Sequence, residues 1–146
     1  MSCLHALALA ALAATGLVQA DVLPLAEIKA RNGVLLSAEE LQQLITGAKV
    51  INQTPNGSTR SWTNNPNGSL VASSDSRGIS STGSTRPHSA EGSWRIENGA
   101  YCVKMQWLIN EEQWCRRMYR VGDKYYGVPA RAADDSARAW EFEFRK

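Results

Sequence analysis

The stretch GAYCVKMQWLINEEQWCRRMYR, residues 99–120, sets two cysteines inside two runs of alternating residues. A period of two is the geometry of a β-strand, and two such runs around a polar turn make a hairpin. A disulfide between directly opposed strand positions would pin the register. Cys102 would face Cys115, Val103 would face Trp114, and Tyr101 would face Arg116. A slip by one residue would turn the whole apolar set outward. On the first strand Tyr101, Val103, Met105, Trp107 and Ile109 share the face expected to be buried. Ala100, Cys102, Lys104 and Gln106 form the half-exposed one. On the second strand Trp114, Arg116, Met118 and Arg120 face the core, and Gln113, Cys115, Arg117, Tyr119 and Val121 face away.

Whether the thiols pair depends on the compartment. The chain opens MSCLHALALAALAATGLVQA, an almost unbroken Leu/Ala run from Leu4 to Val18. That run is shorter than the about 20 apolar residues of a membrane span. Val18-Gln19-Ala20 places small residues where a signal peptidase reads, so residues 1–20 are expected to be a signal peptide cleaved after Ala20. The n-region carries His5 in place of Lys or Arg; a buried N-terminal helix or an uncleaved anchor is the plainer alternative. Cys3 precedes the apolar run, and Asp21 follows the cleavage point, which argues against a lipoprotein. Cys3 would leave with the leader, so Cys102 and Cys115 would remain alone in a periplasmic or secreted, oxidising setting. The short loop they enclose implies about 3 kcal/mol of stabilisation in the chain-entropy treatment. A redox pair or a metal site fits less well. The spacing is not C-x-x-C, and no histidine lies near enough to complete a zinc set. No metal and no cofactor is expected.

Removing residues 1–20 from 146 leaves 126, the size of one domain. The formal net charge is +2, too balanced to point to nucleic acid or to a membrane surface. Apart from Trp62, every aromatic residue lies from Trp94 onward, so the C-terminal half is expected to supply most of the core.

Two short helices are legible. Pro24 can open one carrying Leu25 and Ile28 on one side, stopped by Asn32-Gly33. In LSAEELQQLITG, Ser37 and Glu40 form a capping box, Leu41, Leu44 and Ile45 share a face, and Gly47 sits at the C-cap. From residue 48 the period becomes two. Strands are expected near 48–53, 59–63, 69–73, 92–97, 100–107, 113–121, 124–128 and 138–145. Asn56-Gly57, Asn67-Gly68, Asn98-Gly99 and Gly122-Asp123 supply tight turns, which argues for an antiparallel meander. Asn52, Asn56 and Asn67 also head glycosylation sequons, but turn chemistry explains them better. Residues 73–91 are rich in Ser, Thr and Gly and read as a loop, with one marginal strand near 78–81. A second loop spans 129–138.

Arg116 and Arg120 fall among core-facing residues, and a buried guanidinium needs a partner. One explanation is a pocket of aromatics and arginines that binds a small anionic or carboxylate-bearing ligand, with Tyr101, Trp114, Arg116, Met118 and Arg120 as candidate contacts. The plainer one puts the arginines at a sheet edge, stacked on tryptophan, or paired with Glu141 or Glu143.

The segments LSAEELQQLITGAKV, PNGSL, GSWRIENGAYCV and WCRRMYRVGDKYYGV resemble a family of small exported bacterial proteins, the domain of unknown function 995. The likeness spans about residues 36–128 and rests on Gly92, Trp94, Cys102, Cys115, Tyr119, Gly122 and Asp123. It implies export, a bacterial source, a disulfide and a short helix before a β meander; it implies no mechanism. The long Ser/Thr-rich insert before Gly92 departs from the pattern. Gly92-Ser93-Trp94 is also similar to the G-x-W of lipocalins, which are ligand-binding barrels.

The catalytic inventory is thin. His88 is the only histidine after the leader, in a loop-like context, and there is no G-x-S-x-G. Glu111-Glu112 and Asp134-Asp135 read as solvated turn residues, since neighbours on a strand point opposite ways. Arg116, Arg117 and Arg120 with Tyr119 make a poor single-strand nucleic-acid site without a wider basic face. The expectation is a monomeric α+β domain: one short N-terminal helix packed on an antiparallel meander, strongly curved or barrel-like, with one disulfide. Its expected role is a non-catalytic binding or interaction module for a small anionic ligand or an envelope protein. The alternative is a small periplasmic hydrolase or hydrolase inhibitor using His88 and Asp134/Asp135.

Overall fold

In the computed structural model, which describes residues 20–55, 57–75 and 88–146, the Cys102–Cys115 disulfide is formed. Tyr101 lies opposite Arg116 and Val103 opposite Trp114, the register expected from the alternation. The strands are β1 (Val22–Pro24), β2 (Val34–Leu35), β3 (Lys49–Gln53), β4 (Thr59–Asn64), β5 (Ser69–Ser74), β6 (His88–Glu97), β7 (Ala100–Gln106), β8 (Glu111–Val121), β9 (Lys124–Pro129) and β10 (Arg138–Arg145). The helices are α1 (Leu25–Ala30) and α2 (Ala38–Ile45).

Each strand from β3 to β10 pairs antiparallel with its successor, and β10 returns to pair with β3. The result is a closed eight-stranded antiparallel barrel. β1 adds to β10 beyond the end of β3, and β2 adds to β8 beyond the start of β7, so the short strands extend the edges that their longer neighbours leave. The fold is therefore mostly β, not a balanced α+β arrangement. Asn98 and Gly99, Gly68 and Gly122 all adopt positive φ at the tight turns. Asn56 and the expected strand at 78–81 lie outside the described residues, as does the expected leader up to residue 19. The flanks of the expected 73–91 loop are strand: β5 reaches Ser74, and β6 starts at His88.

The helices take different sides. α1 lies on the outer surface, where Leu25 and Ile28 pack with Tyr119, Tyr126, Val128 and Ala139. α2 carries the expected capping box, with the Glu40 amide donating to Ser37 Oγ and the Ser37 amide donating to Glu40 Oε2. Its buried Leu41 and Ile45 join the interior cluster with Val50, Trp62, Leu70, Trp94, Tyr101 and Met118. So α2 packs into one end of the barrel. A barrel interior is filled or accessible only from its ends, and this is why the helix has one narrow apolar face. The interior also draws on Leu41, Val50 and Leu70 from the N-terminal half, more than the aromatic distribution implied.

Two details of the hairpin differ from simple alternation. Ala100 and Cys102 are buried as well as their neighbours, because Cys102 sits between Arg95 and Cys115 in the sheet and small side chains lie below longer ones. Ile109 is 92% exposed, not core. β7 ends at Gln106, and the Trp107 amide donates to the Asn110 carbonyl, which puts Leu108 and Ile109 on the tip of a tight turn. No helix among the described residues is long and apolar enough to cross a membrane.

Candidate functional site in the barrel mouth

At the end opposite α2, the inward positions change from apolar to mixed. Asn52 on β3, Arg60 and Trp62 on β4, Glu112, Trp114 and Arg116 on β8, and Trp140 and Phe142 on β10 line a cleft of about 140 Å³. The strand period puts them there: 60 and 62, then 112, 114 and 116, then 140 and 142, are same-face neighbours.

Glu112 organises one wall. Its Oε2 accepts from Arg60 Nη1 and, at 3.2 Å, from Trp107 Nε1. Its Oε1 accepts from Trp114 Nε1 at 3.1 Å. Hydrogen bonds to an ionised acceptor are about twice as strong as neutral ones. The Arg60 guanidinium also lies 5.2 Å from the Trp107 ring centroid. Arg60 is thereby committed to Glu112 and Trp107.

Arg116 is held differently. Its guanidinium lies 5.4 Å from the Trp114 ring and 6.0 Å from the Phe142 ring. Its Nη1 donates to the Gly127 carbonyl at 3.3 Å, and its Nε, like that of Arg60, is buried without an acceptor. No carboxylate among the described residues is hydrogen-bonded to it. Burial pushes its pKa below the ordinary arginine value, opposed by the attraction of Glu112. Gly127 makes the room. A Cβ there would lie 2.7 Å from Phe142 Cε2 and 2.9 Å from Arg116 Cδ, so a larger residue would drive Arg116 off the wall.

Of the candidates read from the sequence, the structure brings Trp114 and Arg116 together in this cleft. Tyr101 is fully buried, and its hydroxyl accepts from Trp62 Nε1 at 2.8 Å and donates to Asn64 Oδ1 at 2.9 Å. It has no surface for a ligand. Met118 is fully buried beside Gly127, in the core rather than in the lining. Arg120 is exposed at the α2 end, opposite Val34 and Tyr125. β8 is long enough to carry same-face residues to both ends of the barrel, so Arg116 and Arg120 serve different ends. Glu141 and Glu143 do not hold Arg116: they pair with Lys124 and Arg145.

Arg60 and Glu112 were missed. Glu112 is part-buried in the mouth, not a solvated turn residue, while Glu111 does point outward to Lys104. The available signal was parity with Trp114 and Arg116. The residues of the hydrolase alternative have other partners. Asp135 pairs with Lys29 at 2.6 Å, Asp134 accepts from the Ser136 amide, and His88 is an exposed strand residue opposite Ser74. The reduced cysteines and Glu97 could gather around a metal ion, but the disulfide occupies both sulfurs. No family model, curated protein or solved structure matches the chain.

Proposed function

We propose that the protein is a non-catalytic binding module that takes a small anionic organic ligand in the mouth of its barrel. The observation that carries this reading is Arg116: a half-buried cation at the barrel mouth, against two aromatic rings, with no carboxylate hydrogen-bonded to it among the described residues. The cleft's charged side chains are Arg60, Arg116 and Glu112, one positive charge in surplus. Few convergent polar groups in an aromatic-lined concavity are what small-ligand sites present. A carboxylate is one of the groups whose geometry matches a guanidinium.

Calorimetric titration with small carboxylates tests this. Binding by the native chain and its loss in Arg116→Met is the expected pair of results; equal affinity in both would overturn the reading. The disulfide fits an exported protein of the domain of unknown function 995 type, acting in a periplasmic or secreted setting. The intact mass of protein recovered from the periplasm of a producing bacterium tests that part. A chain that retains residues 1–20 would overturn it.

A further inference from the structure

The inference that follows rests on the anion-binding reading and narrows the ligand. We infer that the mouth selects a flat aromatic monocarboxylate of about benzoate size. Three features of the cleft converge on it.

The first is size. The cleft holds about 140 Å³. A void of about 150 Å³ lined by apolar side chains accommodates benzene, whereas drug-sized ligands occupy roughly 300 Å³ or more. A single six-membered ring fills that space, and acetate leaves most of it unfilled.

The second is the wall. Trp62 and Trp114 meet at 6.0 Å and 66°, and Trp114 and Phe142 at 5.8 Å and 57°. Trp62 and Phe142 are buried behind the half-buried Trp114 and Trp140, so the ring surface left to the cleft is chiefly that of these two tryptophans. A guest ring can then make the edge-to-face or offset contacts that aromatic pairs prefer.

The third is charge. Arg60 is spent on Glu112, so Arg116 supplies the one uncompensated positive charge. Glu112 lines the same small space. A second negative charge on the ligand would meet that carboxylate at close range. One charge is favoured and two are penalised. Glu112 is therefore a specificity-determining residue, acting against dianions, and Arg116 is the recognising one.

The test is calorimetry on the oxidised full chain, in a buffer without small carboxylates, with benzoate, acetate, phthalate, inorganic phosphate and benzamide as probes. Benzoate is expected to bind at least about tenfold more tightly than each of the others. Glu112→Gln should raise phthalate affinity toward that of benzoate, with near-UV circular dichroism confirming that the barrel is intact. Trp140→Ala leaves the charges alone; it should weaken benzoate and leave acetate unchanged. Acetate, phosphate or phthalate binding as well as benzoate would overturn this inference and leave anion binding standing. Benzamide matching benzoate, or no anion binding at all, would overturn both.

Discussion

At the α2 end of the barrel the buried polar atoms form a continuous chain. Trp62 donates to Tyr101, Tyr101 donates to Asn64, and Asn64 Nδ2 donates to the Ile45 carbonyl at 3.1 Å, tying the end of α2 to the strands. At the mouth the chain of partners is incomplete: Arg60 and two indoles donate to Glu112, yet Arg60 Nε and Arg116 Nε are both buried without an acceptor, and no carboxylate among the described residues is hydrogen-bonded to Arg116. Both ends are made by the same alternation on the same strands, β4 and β8 above all. The difference lies in what covers them. A helix supplies Leu41 and Ile45 to one end and removes water from it. The mouth has no such cover among the described residues, so charge is tolerated there. Buried polar groups that are fully paired stabilise a unique arrangement, whereas a half-buried guanidinium without a carboxylate can take one from a ligand.

This comparison can be broken by substitution, and the largest effects belong to the covered end. Ile45→Ala should cost about 2–5 kcal/mol, read by urea unfolding, because Ile45 is fully buried and its loss leaves a void under α2. Replacing both cysteines by serine should cost about 3 kcal/mol, through the loosened unfolded chain. Tyr101→Phe should cost about 1–3 kcal/mol, since Trp62 Nε1 and Asn64 Oδ1 would each lose a buried partner. All three should leave the affinity of the mouth for carboxylates much less changed than Arg116→Met does. That substitution should change stability by no more than about 1 kcal/mol, because it removes a half-buried charge that has no carboxylate hydrogen-bonded to it while keeping an apolar stem. A large stability loss on Arg116→Met, with no loss of binding, would erase the distinction between the ends.

The smallest effect concerns pH. Hydrogen bonds from the Ser37 backbone and side chain hold Glu40 below its ordinary carboxyl value of 4.5, with Arg120 adding a weaker attraction. The folded value is the lower one. The capping box therefore contributes fully above the unfolded value and fades as pH falls through the folded value. Glu40→Gln should flatten that limb of a stability-against-pH curve and leave carboxylate binding at neutral pH untouched.

Much of this fold is written locally. Ser37 and Glu40 announce α2, Asn-Gly pairs announce turns, and alternation around Cys102 and Cys115 announces the register. Each needs only residues within a few positions of one another. Closure of β10 onto β3 is not local, and neither is the choice of α2 to enter the barrel end instead of lying on a sheet face. The site divides in the same way. Trp114 and Arg116 were visible as neighbours on one face. Arg60 became part of it through a contact 52 residues away in sequence, which no local pattern encodes. Arg120 shared the face of Arg116 yet reached the other end, because periodicity gives the side of a strand and not the height along it.

The seam between β3 and β10 also sets an order in time. Every other junction in the barrel joins strands that follow one another along the chain, and such pairings can form as hairpins. The seam joins Val50 to Phe144, so it waits for nearly the whole chain. Non-local pairings of this kind slow folding. Until it forms, β3 and β10 each present a row of unpaired amides and carbonyls, the kind of edge on which chains aggregate. The interval before closure is when this protein is most exposed to its own neighbours, and a chain that has closed no longer carries that risk along the seam.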